Sequence, residues 1–276
     1  MRTLLNRWMQ SPSVAIPDSL WASTLTSLPF VARFTTNERQ QLRVLAAQLL
    51  ADKQMSAAAG LELTSAMQVS IAVQACLPVL NLGLDWYRGW KSIVVYPSEF
   101  LVPRSVTDDD GVVHEYVEPI AGEAWDGGPL VLSWEDAQQS ATGAGAAYSV
   151  VIHEFVHKID LLDGAADGVP PLTATHKALS PDRWRSVLHQ TFDRFVEELD
   201  LIDDELPDDL DPESDEVDRH YAHLPLDPYA AHDEAEFFAV SSETFFVDPA
   251  RLHDAFPEWY ALLSQFFLQD PLAAER

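Results

Sequence analysis

One cysteine, Cys76, stands in 276 residues. That excludes an intrachain disulfide framework and any zinc site built from several thiolates. Cys76 lies in the apolar run VQACLPVL and reads as a small buried hydrophobe. Basic residues are scarce: 17 Lys and Arg face 44 Asp and Glu, giving a formal net charge of −27 and a pI near 4.4. Such a chain repels phosphate backbones, so direct nucleic-acid binding is disfavoured. No apolar window of about 20 residues occurs, so no membrane span is expected. The segment MRTLLNRWMQSPS has too short and too interrupted an apolar stretch for a signal peptide. These absences make a cytoplasmic protein the expectation.

What is present suffices for a core. At 47% apolar residues the chain has no need of metal or disulfide staples to fold, and its length allows one large domain or two small ones. Residues 1–35 hold two short apolar patches around Trp8 and Trp21, interrupted by Pro12, Pro17 and Pro29, and read as a loosely structured lead-in that packs on the body. Thr36 looks like a helix cap with Glu38 in the first turn and Arg39 three residues on. Leu42, Leu45, Leu49 and Leu50 then form an apolar stripe. A second helix is expected over 64–83, ended near Pro78 and Gly83.

Segments 91–103, 112–125 and 128–134 are rich in β-branched and aromatic residues and read as strands, with Asp126-Gly127-Gly128 supplying turn chemistry. Three in a row suggest a small, mostly antiparallel sheet. Helices follow over 148–162, over 180–200 with Ser180 as cap and Pro181 at its first position, and over 232–246 and 249–269. Residues 203–218 contain ten acidic residues and no basic one. They lack the spaced oxygen ligands and central glycine of an EF-hand and read as a solvated loop insertion. The order is helices, sheet, helices, which fits one α+β body over 36–270 with a short tail at 271–276.

The stretch YSVVIHEFVHKIDLLDG, 148–164, places ionisable groups in an apolar helix, where they are costly without partners. His153-Glu154-Phe155-Val156-His157 is H-E-x-x-H. Positions i and i+4 share a helix face, so both imidazoles can face one ion. Glu154 lies about 100° round, beside the ion, where it can take a proton from water held there. With 9 histidines the pattern arises by chance roughly 0.02 times in such a chain. One large zinc-peptidase class adds a glycine and a third His three and six residues on. Asp160 and Asp163 stand there instead, so that class is excluded. A catalytic zinc site still needs a third protein ligand and an open position. The stretch YAAHDEAEFFAVSSETFF, 229–246, offers Glu234, Glu236 and Glu243. Glu234 reads as a solvated first-turn acid, while Glu236 and Glu243, seven apart, share a face.

VIHEFVHKIDLLDG and DPYAAHDEAEFFAVSSETFF, with WKSIVVYPSEFLVP and GGPLVLSWEDA upstream, together resemble the MtfA family of bacterial zinc peptidases. These are zincin-like proteins known for titrating the glucose repressor Mlc, and the likeness spans roughly residues 30–270. The core also looks like the catalytic domain of anthrax lethal factor. The resemblance implies one Zn2+ per chain held by His153, His157 and Glu236, with Glu154 as general base. It implies Tyr229 as an oxyanion-stabilising hydroxyl and makes Glu243 and Asp160 candidates for orienting a ligand. His232, three residues after Tyr229, is a candidate for lining the site. Two features depart from the pattern. The 203–218 insertion is longer and more charged than the family leads one to expect, and Val240 stands where lethal factor has another glutamate.

The resemblance implies a metallopeptidase, with an association to aminopeptidase activity on a peptide or aminoacyl substrate. The alternative is a regulatory protein that sequesters a transcriptional repressor of the Mlc type, with hydrolysis secondary; the negative charge suits steering toward a basic DNA-reading partner. A purely structural zinc site is disfavoured, because such sites are closed by four protein ligands.

Overall fold

The structure, a computed structural model, describes residues 15–107, 113–125, 127–139, 147–207 and 219–273. The first described elements are helix α1 (Asp18–Ser27) and a 3-10 turn at Pro29–Arg33. In the part of the lead-in that is described, Ile16, Leu28, Phe30, Val31 and Phe34 join the main core, while Trp8 and Pro12 lie outside the described residues. Arg33 donates to the carbonyls of Phe246 and Val247 at 3.2 and 2.8 Å. Helix α2 (Thr36–Asp52) is capped one residue earlier than expected. Thr35 Oγ1 accepts the Glu38 N–H at 3.3 Å, and the Glu38 carboxylate accepts the Thr35 N–H at 2.8 Å. A capping box needs an acceptor three residues after the cap. Glu38 can be that acceptor and Arg39 cannot.

The sheet corrects the mostly antiparallel expectation. Four strands run in the order β1-β2-β6-β5, where β1 is Gln54–Ala57, β2 Ser92–Tyr96, β5 Gly122–Ala124 and β6 Leu130–Ser133. β1, β2 and β6 are parallel, and only the edge strand β5 is antiparallel. The cause is β1, the sequence QMSA, which follows directly on α2 and has no β-branched or aromatic residue to mark it. Once β1 lies beside β2, helix α3 (Ser65–Cys76) becomes the crossover that parallel strands require. Strands β3 (Phe100–Thr107) and β4 (Val113–Ile120) form a separate antiparallel hairpin. Each of the two long strand segments read from sequence is therefore shared between two strands.

Helix α4 (Trp134–Gln139) follows β6, then α5 (Val150–Asp160), α6 (Pro181–Asp203) and α7 (Glu234–Val247). The last predicted helix is two, α8 (Pro249–Ala255) and α9 (Pro257–Phe267), broken at Pro257 just as Pro249 breaks the pair before it. Residues 208–218, most of the acidic insertion, lie outside the described residues. Val150, Val151, Ile152, Phe155, Val156 and Ile159 bury α5 between α3, the sheet and α7. Phe237, Phe238, Phe245 and Phe246 do the same for α7, packing on Trp184, Trp259, Phe266 and Phe267. Each such aromatic contributes roughly 1.5–3 kcal/mol by leaving water. Among the described residues no helix is long and apolar enough to cross a membrane.

His176 is one histidine whose purpose is structural. Its Nδ1 accepts the Thr173 N–H at 3.1 Å, so Nε2 carries the proton and donates to the Phe266 carbonyl at 3.0 Å. The ring is buried and stacks on Phe266. Burial holds its pKa below the ordinary value. The unfolded chain therefore takes up this proton first, and stability falls as pH drops below about 6.5. His176→Gln should cost about 1–3 kcal/mol at pH 7 and flatten the loss of melting temperature between pH 7 and 5. Equal slopes for wild type and variant would contradict the assignment.

Candidate metal centre

Ser149 caps α5, accepting the Ile152 N–H at 3.2 Å, and its hydroxyl bonds Gln74 Oε1 of α3 at 2.9 Å. This fixes the rotation of α5 about its axis, so that His153 and His157 turn toward α7. On α7, Asp233 accepts the Glu236 N–H at 2.9 Å, which sets the first turn and aims Glu236 at the two imidazoles. The three side chains meet: Nε2 of His153 and Nε2 of His157 are 3.0 Å apart, and Oε2 of Glu236 is 3.0 Å from the first and 3.2 Å from the second. A tetrahedral ion with bonds of about 2.0–2.1 Å sets its donor atoms about 3.3 Å apart. The triangle is of that size, and no fourth protein donor closes it among the described residues.

The electrostatics call for a cation in the same place. Burial opposes charge on His153, yet Glu236 and Glu243 together hold its pKa well above the ordinary imidazole value. Burial likewise opposes charge on Glu236, yet hydrogen bonds from the two imidazoles hold its carboxyl far below the usual range. A cation among the three donors satisfies both demands. Glu243, 2% exposed, is bonded by its Oε1 to His153 Nδ1 at 2.8 Å, while Oε2 accepts the Ser149 N–H. It therefore fixes the His153 tautomer with Nε2 facing the site. Glu234 turns the other way and meets His189 of α6 at 3.0 Å.

Glu154 is 4% exposed and its Oε2 has no hydrogen-bond partner. Burial pushes its pKa up to about 7, against the pull of the two histidines. A Cβ built on Gly122 of β5 would lie 2.4 Å from Glu154 Oε1. A larger residue there would push this carboxyl out of its place where the edge strand crosses over it. Sequence reasoning missed Gly122, although a glycine inside a strand signals close backbone approach. It also missed Lys158, whose ammonium is buried against the carbonyls of Trp125, Gly128 and Pro129. That contact ties α5 to the β5–β6 turn.

Tyr229, 50% exposed, sits on a 3-10 turn (Pro228–Ala231), its ring centroid 6.1 Å from that of His153. His232 is exposed and stacks on Tyr229 at 5.9 Å; it does not line the cavity. Asp160, fully buried, does not bond His157. Its Oδ2 accepts the Gly168 N–H at 2.8 Å, its Oδ1 has no partner, and burial pushes its pKa up to about 7. Gly168, at φ +72°, lies so close to Glu234 that an added Cβ would be 2.4 Å from the Glu234 carbonyl oxygen. Asp160 thereby links the end of one donor helix to the start of the other.

The donors open into a cavity of about 480 Å3. Six carboxylates line it, Glu123, Glu154, Asp227, Asp233, Glu236 and Glu243, and among the described residues no Lys or Arg does. β5 forms one wall.

A half-buried His-Glu-His cluster beside a water-accessible cleft is the arrangement of a metallopeptidase, and comparison with known proteins agrees. Residues 3–268 match the family described as glucose-regulated metallo-peptidase M90. The chain is 37% identical to Mlc titration factor A of Serratia proteamaculans (strain 568) over 92% of its own length and 88% of the relative's. It is 37% identical to the protein of that name from Pectobacterium atrosepticum (92% and 87%) and 36% identical to that from Yersinia pestis (92% and 85%). The chain belongs to the Mlc titration factor A family of metallopeptidases.

The contact between Glu243 and His153 gives the centre a direct test. Glu243→Gln is expected to weaken metal binding about 10-fold, measured by competition with a chromogenic chelator. Unchanged affinity would show that Glu243 does not orient the ligand.

Proposed function

We propose that the chain is a zinc-dependent peptidase, acting as an aminopeptidase, with His153, His157 and Glu236 as the ligands of one Zn2+. The observation that carries this reading is the open three-donor triangle with Glu154 beside it and no fourth protein ligand among the described residues. Zinc suits two imidazoles and a carboxylate at tetrahedral spacing, and when bound it makes water acidic and polarises a carbonyl.

The chain's own residues supply the rest. Glu154 takes the proton from the attacking water and returns it to the departing amine. Its burial near pKa 7 suits it to both roles. Tyr229, at the rim, donates its hydroxyl hydrogen bond to the developing oxyanion. Among the described residues β5 is an edge strand of the sheet, and an extended peptide can lie along it. The acidic lining, with no Lys or Arg among the described residues, favours a free α-ammonium group over a carboxylate next to the scissile bond, which supports exopeptidase action from the N-terminus.

The name of the relatives and the charge of −27 support a second role: binding a repressor of the Mlc type, through steering of a basic surface. The two roles separate at Glu154. Glu154→Gln should retain metal and repressor binding and lower kcat on an aminoacyl substrate at least about 10²-fold. Retained turnover would overturn the assignment of Glu154. Repressor binding that is lost with Glu154, together with no peptide cut by the wild type, would leave binding as the only activity of the pair.

A further inference from the structure

Tyr148 is half-buried, lines the metal cleft and takes no part in the steps assigned to Glu154 and Tyr229. It directly precedes Ser149, whose N–H is held by Glu243 and whose hydroxyl donates to Gln74. The backbone that carries the phenol is therefore fixed. Helices α5 and α7 run antiparallel across the cleft: His157 meets Glu236, and Ser149 meets Glu243. Tyr148 thus lies at the Glu243 end, beyond His153 as seen from His157. Ala147, Val150 and Val240 line the cavity with it, and all three are buried. Buried walls mark this as the inner end of the cleft, which suits a side chain better than an extended backbone.

The phenol oxygen bonds no described residue, yet it is not sealed from water. Burial, and after it the carboxylates Asp136, Glu243, Glu154 and Asp227, hold its pKa above the ordinary phenol value. The hydroxyl keeps its proton and can donate. Glu154, Glu243 and Asp227 line the same cavity and are acceptors. A donor beside acceptors calls for a group that both accepts and donates a hydrogen bond. An aliphatic side chain does neither. A carboxylate accepts, cannot donate and meets like charge. A primary amide does both. Sites built to hydrogen-bond one side chain discriminate against analogues that leave their polar groups unpaired. We propose that Tyr148 is a specificity-determining residue, its hydroxyl donating to the side-chain amide oxygen of an Asn or Gln in the bound peptide, with the amide NH2 turned to the carboxylates. The inference rests on the peptidase reading above and deepens it by naming a substrate side chain.

The test compares peptides that carry Gln, Glu or Met, side chains of similar length, at successive positions. At one position or more, Tyr148→Phe should lower kcat/KM for the Gln peptide about five- to tenfold more than for its Met or Glu counterpart. Equal losses for all three at every position would put the hydroxyl on the peptide backbone, and a loss greatest for Glu would assign it to an acid. Either result, or no loss at all, overturns the proposal. The same peptides, titrated into metal-loaded Glu154→Gln protein with and without Tyr148→Phe, test the contact without turnover. A loss of affinity specific to Gln there, together with cleavage of none of the peptides by wild type, would count against the peptidase reading and leave the amide site standing.

Discussion

The centre depends on one electrostatic demand: His153 is held between two carboxylates in the protein interior. Glu243 takes its Nδ1 at 2.8 Å and Glu236 faces its Nε2 at 3.0 Å. A neutral imidazole between one buried and one half-buried anion does not balance them, so the site favours a positive charge. A proton on His153 can supply it, and so can a cation shared with His157. The second choice satisfies three side chains at once and makes the donor triangle a binding site, not a strained ion pair.

The rest of the fold serves to keep that triangle in register. Its donors come from α5 and α7, which are 79 residues apart in sequence between His157 and Glu236. Two backbone-directed contacts join these helices independently of the donors: Glu243 reaches the Ser149 N–H at one end, and Asp160 holds Gly168 against Glu234 at the other. Gly122 then brings the edge strand onto Glu154, and Lys158 fastens the turn that follows that strand. The strand that walls the cleft is thereby fixed to the helix that bears Glu154.

Much of this was legible in the residues. The i, i+4 imidazoles, the α5 stripe, the Ser180–Pro181 start of α6 and the acid-bearing α7 follow from helical periodicity and capping, which are local. Between Glu236 and Glu243 periodicity alone was silent, since both share a face; packing divides them, placing one at the donor triangle and the other behind His153. The parallel sheet was illegible because β1 is four residues of QMSA whose partner lies 38 positions on, Gln54 against Ser92. Strand pairing of that kind is decided by tertiary contacts. Gly122 and Lys158 were missed for a related reason: each acts on a segment distant in sequence. Asp160 and His232 were singled out for their closeness to the motif. Sequence neighbourhood misled there, since one holds a loop and the other stacks on Tyr229.

The most direct measurement is metal content with X-ray absorption at the zinc edge, on purified protein and on Glu236→Gln. The account predicts one zinc per chain, coordinated by two imidazole nitrogens and at least one carboxylate oxygen at about 2.0–2.2 Å, with the metal largely lost in the variant. Protein that takes up no transition metal, or binds zinc equally well without the Glu236 carboxylate, would contradict it.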